Sequence, residues 1–229
     1  MILTYYTATT LIIIAYLLGS IPSAVWIGKK YYGIDIREHG SKNAGTTNML
    51  RVLGKRAALP VFGLDVLKGF VAVTIIDLMK YDSVFADGAN ETWFYILRFI
   101  AVFAAVLGHI FPIFAGFRGG KGVMAALGLA LVLDWKVALI CLAVFIAVVA
   151  LTRIVSLGSC LASVTFVVLT AVFRTYVYRQ EPAEVAFCTL AAAAVVCLLI
   201  IKHIPNIRRI LKGTENRFGS RPSAQKKEE

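Results

Sequence analysis

The 229-residue chain is 59% hydrophobic and carries a formal charge of +11, with a mean hydropathy of +0.78. Runs of about twenty apolar residues recur along it, which excludes a soluble domain and indicates an all-α, polytopic membrane protein. Lipid-facing β-strands would alternate rather than run continuously, and the cations have no nucleic-acid-binding module around them, so no nucleic acid is expected as a partner.

No Lys or Arg precedes Lys29, so the chain lacks the basic start of a signal peptide. The first apolar run, about residues 2–27, reads as an uncleaved span with its N-terminus outside. Near its end Pro22 frees a carbonyl, and Ser20 and Ser23 place hydroxyls at membrane depth, either for tight helix packing or to support a site.

The loop over residues 28–56 holds seven Lys/Arg against Asp35 and Glu38. Gly40 and Gly45 permit a backbone turned inward, with N–H groups facing an oxyanion. Ser41, Asn43, Thr46, Thr47 and Asn48 offer neutral donors, and Lys42, Arg51 and Lys55 offer charge. This is the chemistry of a phosphate cradle beside a membrane. The plainer alternative is a polar loop whose charge only fixes topology.

The second span, 57–79, contains Asp65 and Lys68. At i,i+3 they share a helix face, as an ion pair inside the bundle that is structural or supports a site. An acidic outer loop at 80–92 leads to the third span, 93–111. Gly119-Gly120-Lys121-Gly122 then opens a fourth, 123–133. Its N–H groups should head a helix, with Lys121 as a point charge. The likeness to a P-loop is loose, because Lys121 is followed by Gly122 rather than Ser/Thr. Anion binding is expected, nucleotide hydrolysis is not.

The fourth span and the fifth, 137–151, are short, and form two crossings or a re-entrant hairpin. Arg153 and Ser156 lie in a third short loop before the sixth span, 155–177, and an outer loop with Glu181 and Glu184. The seventh span, 185–201, ends near His203 and Asn206, with Pro205 between them bending the chain. An interfacial His is structural or a ligand to a phosphate or hydroxyl. Glu215 is the isolated carboxylate of a basic tail, whose residues 220–229 read as a flexible end.

Summed by side, the inner segments hold 18 cations and five acids, the outer ones five cations and seven acids. The expected architecture is a single transmembrane domain over 1–229 with seven transmembrane helices, N-terminus outside and C-terminus cytoplasmic. The unusual polar islands all fall on the inner side. Cys141, Cys160, Cys188 and Cys197 lie in apolar runs and read as packing. The sequence has no metal-ligand spacing, no Gly-x-Ser-x-Gly elbow and no His-x4-Asp dyad.

Gly19-Ser20-Ile21-Pro22-Ser23, Gly40 through Asn48 with Arg51, Gly108-His109 through Gly122, and Lys202-His203-Ile204-Pro205-Asn206 through Glu215 occur in an order that resembles the bacterial acyl-phosphate:glycerol-3-phosphate acyltransferases of the PlsY type. Ala44 departs from the commoner pattern. The resemblance covers nearly the whole chain. It implies a seven-helix bundle in the bacterial cytoplasmic membrane, multi-pass, with its site on the cytoplasmic face. The implied reaction moves an acyl group from acyl phosphate to the 1-hydroxyl of sn-glycerol 3-phosphate, giving lysophosphatidate and phosphate. It is the first acylation of phospholipid synthesis, and no cofactor or metal is expected.

By that resemblance Ser41, Arg51, Lys121, His203 and Asn206 hold glycerol 3-phosphate, with His203, Asn206 and Lys121 nearest the chemistry. Thr46, Thr47, Asn48, Gly119, Gly120, Gly122 and Ser156 cradle the acyl phosphate. Ser20, Ser23, Lys42, Asn43 and Glu215 support them, and the acyl chain enters sideways from membrane lipid. An acyl phosphate carries a good leaving group, so its transfer needs positive charge, oxyanion donors and a held hydroxyl more than a strong acid. No carboxylate is poised as the base, which leaves His203 or a substrate phosphate oxygen. The rival reading is a membrane transporter for a small phosphorylated anion, which should show internal repeats and a polar path to the outer face.

Overall fold

The structure is a computed structural model that describes residues 2–78 and 91–219. Most of the expected acidic outer loop and the expected flexible end at 220–229 lie outside the described residues.

Among the described residues every regular element is helical: α1 (Ile2–Gly19), α2 (Ser23–Tyr32), α3 (Thr46–Leu53), α4 (Lys55–Leu78), α5 (Glu91–Ile110), α6 (Val123–Leu133), α7 (Trp135–Thr152), α8 (Val155–Val172) and α9 (Pro182–Leu211). The helices α4, α5, α7, α8 and α9 are long and apolar enough to cross a bilayer, and α1 with α2 makes a sixth candidate span. At 11 residues, α6 is about 16 Å long and falls short of a crossing.

The first span is not one helix. Pro22 has no N–H to continue the ladder, and the chain bends by 40° between α1 and α2. Ile21 is left between them with its carbonyl turned to other donors. A second departure lies in the basic loop, where residues 46–53 form α3 rather than a cradle of irregular backbone. The N–H groups of Asn48 and Met49 both close on the Gly45 carbonyl, and Asn48 and Met49 point into the core while Arg51 is exposed. A third is α9, which runs through Pro205 to Leu211 instead of ending at residue 201. Its 30 residues span about 45 Å against a hydrocarbon core of about 30 Å. The last turns, with His203 and Asn206 on one buried face, thus extend the span instead of following it.

The chain divides into two compact units, Met1–Ala138 and Leu139–Glu229. In the first, α4 is central: α1, α2, α3, α5 and α6 all pack on it, and α1 also packs on α5. Missing side chains permit the two closest crossings. A Cβ on Gly69 would meet the Ala125 carbonyl and one on Gly128 the Val66 carbonyl, which joins α4 to α6. Gly19 and Gly108 do the same for α1 and α5 against the Ala105 and Tyr16 carbonyls. Apolar association in lipid rests on such backbone approach, because lipid tails solvate Leu as well as another helix does. In the second unit α8 packs on α9.

Candidate active site

The residues singled out in the sequence divide between the units. Ser20, Ser23, Ser41, Lys42, Asn43, Thr46, Thr47, Asn48, Arg51, Gly119, Gly120, Lys121 and Gly122 belong to the first, and Ser156, His203, Asn206 and Glu215 to the second.

The segment before α3 is held by Asn48, which is almost fully buried. Its amide nitrogen faces the carbonyls of Ile36, His39 and Asn43, each at 3.0 Å. Its oxygen accepts the Ser41 N–H at 2.8 Å. Asn48, expected among the acyl-phosphate ligands, is thus placed as a staple of the segment, with its amide hydrogens directed at backbone carbonyls. Gly40 supplies the tight turn at φ 58°, and a Cβ there would strike the Asn48 amide oxygen. Gly45 sits extended at φ −143°, a conformation open to any residue, so it is not the inward turn expected. Ser41 and Lys42 are exposed, Thr47 is half-buried, and the amides of Thr46 and Thr47 head the helix. The Thr46 hydroxyl and the Asn43 amide oxygen are buried with no hydrogen-bond partner among the described residues.

Upstream, Asp35 caps a 3-10 turn at Ile36–Glu38. Arg37 grips both oxygens of Asp35 through Nε at 2.9 Å and Nη2 at 2.7 Å. Its other terminal nitrogen donates to the Ala115 carbonyl at 2.6 Å. The Arg37 guanidinium holds the Asp35 carboxyl far below the usual carboxylate range, and Asp35 in turn raises Arg37. This fork ties the basic segment to the turn that follows α5, where Trp26 also meets Phe114 with ring centroids 6.3 Å apart.

That turn returns the chain to the end of α5. The Gly119 N–H donates to the Ile110 carbonyl at 3.2 Å and the Gly120 N–H to the His109 carbonyl at 3.1 Å. Two of the amides expected to face an anion are therefore engaged with the C-terminal carbonyls of α5. Gly122, at φ 88°, leads into the first turn of α6, where amide groups have no helical partner. Gly120 is required for another reason. A Cβ there would collide with the His109 ring and approach the Ala44 carbonyl at 2.9 Å. The glycine loop thus lies against the Ser41–Asn48 segment, bringing the two motifs of this unit together. Lys121 is half-buried next to that contact.

Behind the loop is a buried polar cluster. Lys68 and Asp65 form the expected ion pair at 2.9 Å. The Ser23 hydroxyl donates to the same Asp65 oxygen at 2.6 Å, and Lys68 donates to the Ile21 carbonyl, exposed by the bend at Pro22, at 2.7 Å. Ser23 therefore supports the cluster. Ser20 is fully buried with its hydroxyl unpaired among the described residues. His109 completes the group, with Nδ1 3.9 Å from Asp65. Its place was not read from the sequence. The available signal was a histidine one turn before a proline and a run of glycines.

In the second unit one carboxylate gathers the polar side chains. Glu215 accepts from Ser156 Oγ at 2.8 Å and Asn206 Nδ2 at 2.6 Å on one oxygen, and from Arg209 Nε at 2.6 Å on the other. Burial raises its pKa, and the bonds from Asn206, Arg209 and Ser156 outweigh that, for a net lowering. Glu215, expected to brace the basic cluster, is the shared acceptor of these three side chains. Ser156, expected among the acyl-phosphate ligands, directs its hydroxyl proton at Glu215. His203 is buried with Nδ1 2.8 Å from the Leu199 carbonyl. A carbonyl only accepts, so Nδ1 carries the hydrogen in this bond.

Residues 9–213 match the family profile described as glycerol-3-phosphate acyltransferase. A glycerol-3-phosphate acyltransferase of Thermoanaerobacter sp. (strain X514) is 43% identical, with 91% of this chain and 94% of that one covered. That of Acaryochloris marina is 40% identical with 92% of each covered, and that of Enterococcus faecalis is 40% identical with 95% of each covered. The crystal structure of PlsY (YgiH), an integral membrane glycerol 3-phosphate acyltransferase in its glycerol 3-phosphate form, is similar with a TM-score of 0.77. Identity to it is 36%, over 93% of this chain and 96% of that one. The lysophosphatidic acid form of the same protein gives a TM-score of 0.75.

Proposed function

This chain belongs to the glycerol-3-phosphate acyltransferase family, the integral membrane acyltransferases of phospholipid synthesis, and we propose that its acyl donor is acyl phosphate. The acceptor is the 1-hydroxyl of sn-glycerol 3-phosphate, and the products are lysophosphatidate and inorganic phosphate. The hydroxyl oxygen attacks the acyl carbonyl carbon directly, the carbon–oxygen bond to phosphate breaks, and no acyl-enzyme forms. The proton leaves to His203 Nε2 or to an oxygen of the departing phosphate.

The observation that carries the reading is the approach of Gly120 to the Ala44 carbonyl, which sets a lysine-bearing glycine loop against a donor-rich segment. Two phosphates need cations and fixed amides more than they need an acid. Lys121, Arg51, Ser41, His203 and Asn206 bind glycerol 3-phosphate. Gly122, the first turn of α6, Thr46 and Thr47 serve the acyl phosphate. Asn48, Gly119, Gly120, Ser156, Lys42, Asn43 and Glu215 keep these groups in place. The chain sits in a bacterial cytoplasmic membrane with its basic loops and C-terminus inside. The excess of cations in those loops supports this placement, as does the charge of both substrates.

The test is purified protein supplied with acyl phosphate and glycerol 3-phosphate, followed for acceptor-dependent phosphate release and lysophosphatidate. Both should appear together and vanish in Lys121→Ala. An acyl adduct trapped on Ser41, or donor consumption that ignores the acceptor, would overturn the direct-attack scheme.

A further inference from the structure

The cluster of Ser23, Asp65, Lys68 and His109 is unexplained by helix packing, which the glycine crossings already provide. Burying a carboxylate, an ammonium and an imidazole at membrane depth is costly, and such groups mark function more often than scaffolding. Asp65 is fixed from two sides, by Ser23 of α2 and by Lys68 one turn along its own helix. Lys68 is fixed in turn by the Ile21 carbonyl. The carboxylate is therefore a rigid point.

His109 faces that point with one nitrogen and the glycine loop with the other. Its Nδ1 is buried without a hydrogen-bond partner among the described residues, 3.9 Å from Asp65 Oδ1. Its Nε2 edge occupies the volume a Gly120 side chain would need, while its own carbonyl accepts the Gly120 N–H. The residue after Gly120 is Lys121. The loop is thus gripped through both ring and backbone of one residue with a fixed charge behind it.

We propose that Asp65 and His109 are positioning residues for the glycine loop, with His109 as the wall that places Lys121 and Asp65 as the charge that orients His109. The kinetic consequences rest on the function proposed above, but the placement of Lys121 does not. A shift of about 1 Å at a substrate-binding cation costs up to about 100-fold in rate. Loss of the wall should therefore be felt in substrate affinity before it is felt in fold.

The experiment is a double-mutant cycle of His109→Ala and Gly120→Ala, with Asp65→Asn as a further variant. Two readouts are taken on each full-length protein. One is the rate at which an amine reagent labels Lys121, compared with Lys30 and Lys55 of the same unit. The other is the KM for glycerol 3-phosphate against kcat. His109→Ala and Asp65→Asn should change labelling of Lys121 about threefold or more while Lys30 and Lys55 keep their rates, and should raise KM about tenfold with kcat changed less. Gly120→Ala should be more damaging with His109 present than without it, because the ring is what the new methyl strikes. Additive effects, an unchanged Lys121, or parallel changes at all three lysines overturn the proposal. If the unsubstituted protein makes no lysophosphatidate from acyl phosphate, the proposed reaction falls while the labelling cycle still decides the positioning claim.

Discussion

The two units hold their functional side chains by opposite means. In Met1–Ala138 the glycine loop and the basic segment are tied down by many separate bonds: two amides on the carbonyls ending α5, the Arg37 fork on Asp35 and Ala115, and the four contacts of the Asn48 amide. In Leu139–Glu229 one carboxylate, Glu215, receives Ser156, Asn206 and Arg209 together. A site held by many weak restraints loses little when one is cut. A site held by one hub fails as a unit.

The sharpest break tests the charge that the first unit presents. Lys121→Ala should lower acyl transfer about 10³-fold, the upper range for removing one transition-state donor. Thermal unfolding in detergent should stay near that of the unsubstituted protein, since the backbone bonds of Gly119 and Gly120 still hold the loop. Turnover and melting measured on the same preparation check both halves of the statement.

The hub comes next. Glu215→Ala should reduce turnover about 100-fold, by releasing Asn206 from the geometry the acceptor needs, and Glu215→Gln should fall between. The same carboxylate gives the second unit a pH dependence of known sign. Its folded pKa lies below its ordinary value, so its contribution to stability is complete above the ordinary carboxylate range. That contribution is lost as pH drops through the depressed folded value. Melting followed from neutral to acid pH should show this loss, and Glu215→Gln should remove that part of it.

Within the first unit the staple should show in stability rather than chemistry. Asn48→Ala leaves the Ile36, His39 and Asn43 carbonyls and the Ser41 amide without their shared partner, at a cost of about 2–3 kcal/mol. Ser41→Ala, at an exposed position, should leave melting unchanged and act on the KM for glycerol 3-phosphate. The opposite pattern, an active-site loss without destabilisation for Asn48→Ala, would return that residue to the ligand set.

The same contrast explains what the chain discloses before it is folded. Apolar runs and the i,i+3 spacing of Asp65 and Lys68 are local, and the all-helical membrane architecture and the ion pair were legible from them, though not the shortness of α6. Glu215 stood out as a lone carboxylate among cations. The eight-residue α3 was missed because it starts at Gly45 without a side-chain cap, and its threonines read as loop residues. The engagement of Gly119 and Gly120 was invisible because it depends on the chain doubling back after Pro112. His109 gains meaning only from Asp65 in another helix. The seventh span was ended at 201 with Pro205 read as a bend beyond it, yet a helix already anchored on one buried face tolerates the loss of one backbone bond and runs on to Leu211.

The smallest expected effect is the most discriminating about redundancy. Arg37→Lys keeps a cation near Asp35 but cannot form the fork, nor reach the Ala115 carbonyl with the same geometry. Because Gly119, Gly120 and the Trp26–Phe114 contact still hold the turn, acyl transfer should fall no more than about threefold at neutral pH. The loss should appear in acid. Arg37 is the chief reason the Asp35 carboxyl titrates so low, so weakening the pair lets Asp35 protonate at a higher pH. Its stabilising contribution, present above the ordinary carboxylate range, then disappears earlier as pH falls. Melting profiles of the two proteins should coincide near pH 7 and separate on the acid side, with the variant below. A large loss already at neutral pH would mean that the fork alone holds the loop, and the contrast between a distributed and a hub-held unit would fail at its weakest link.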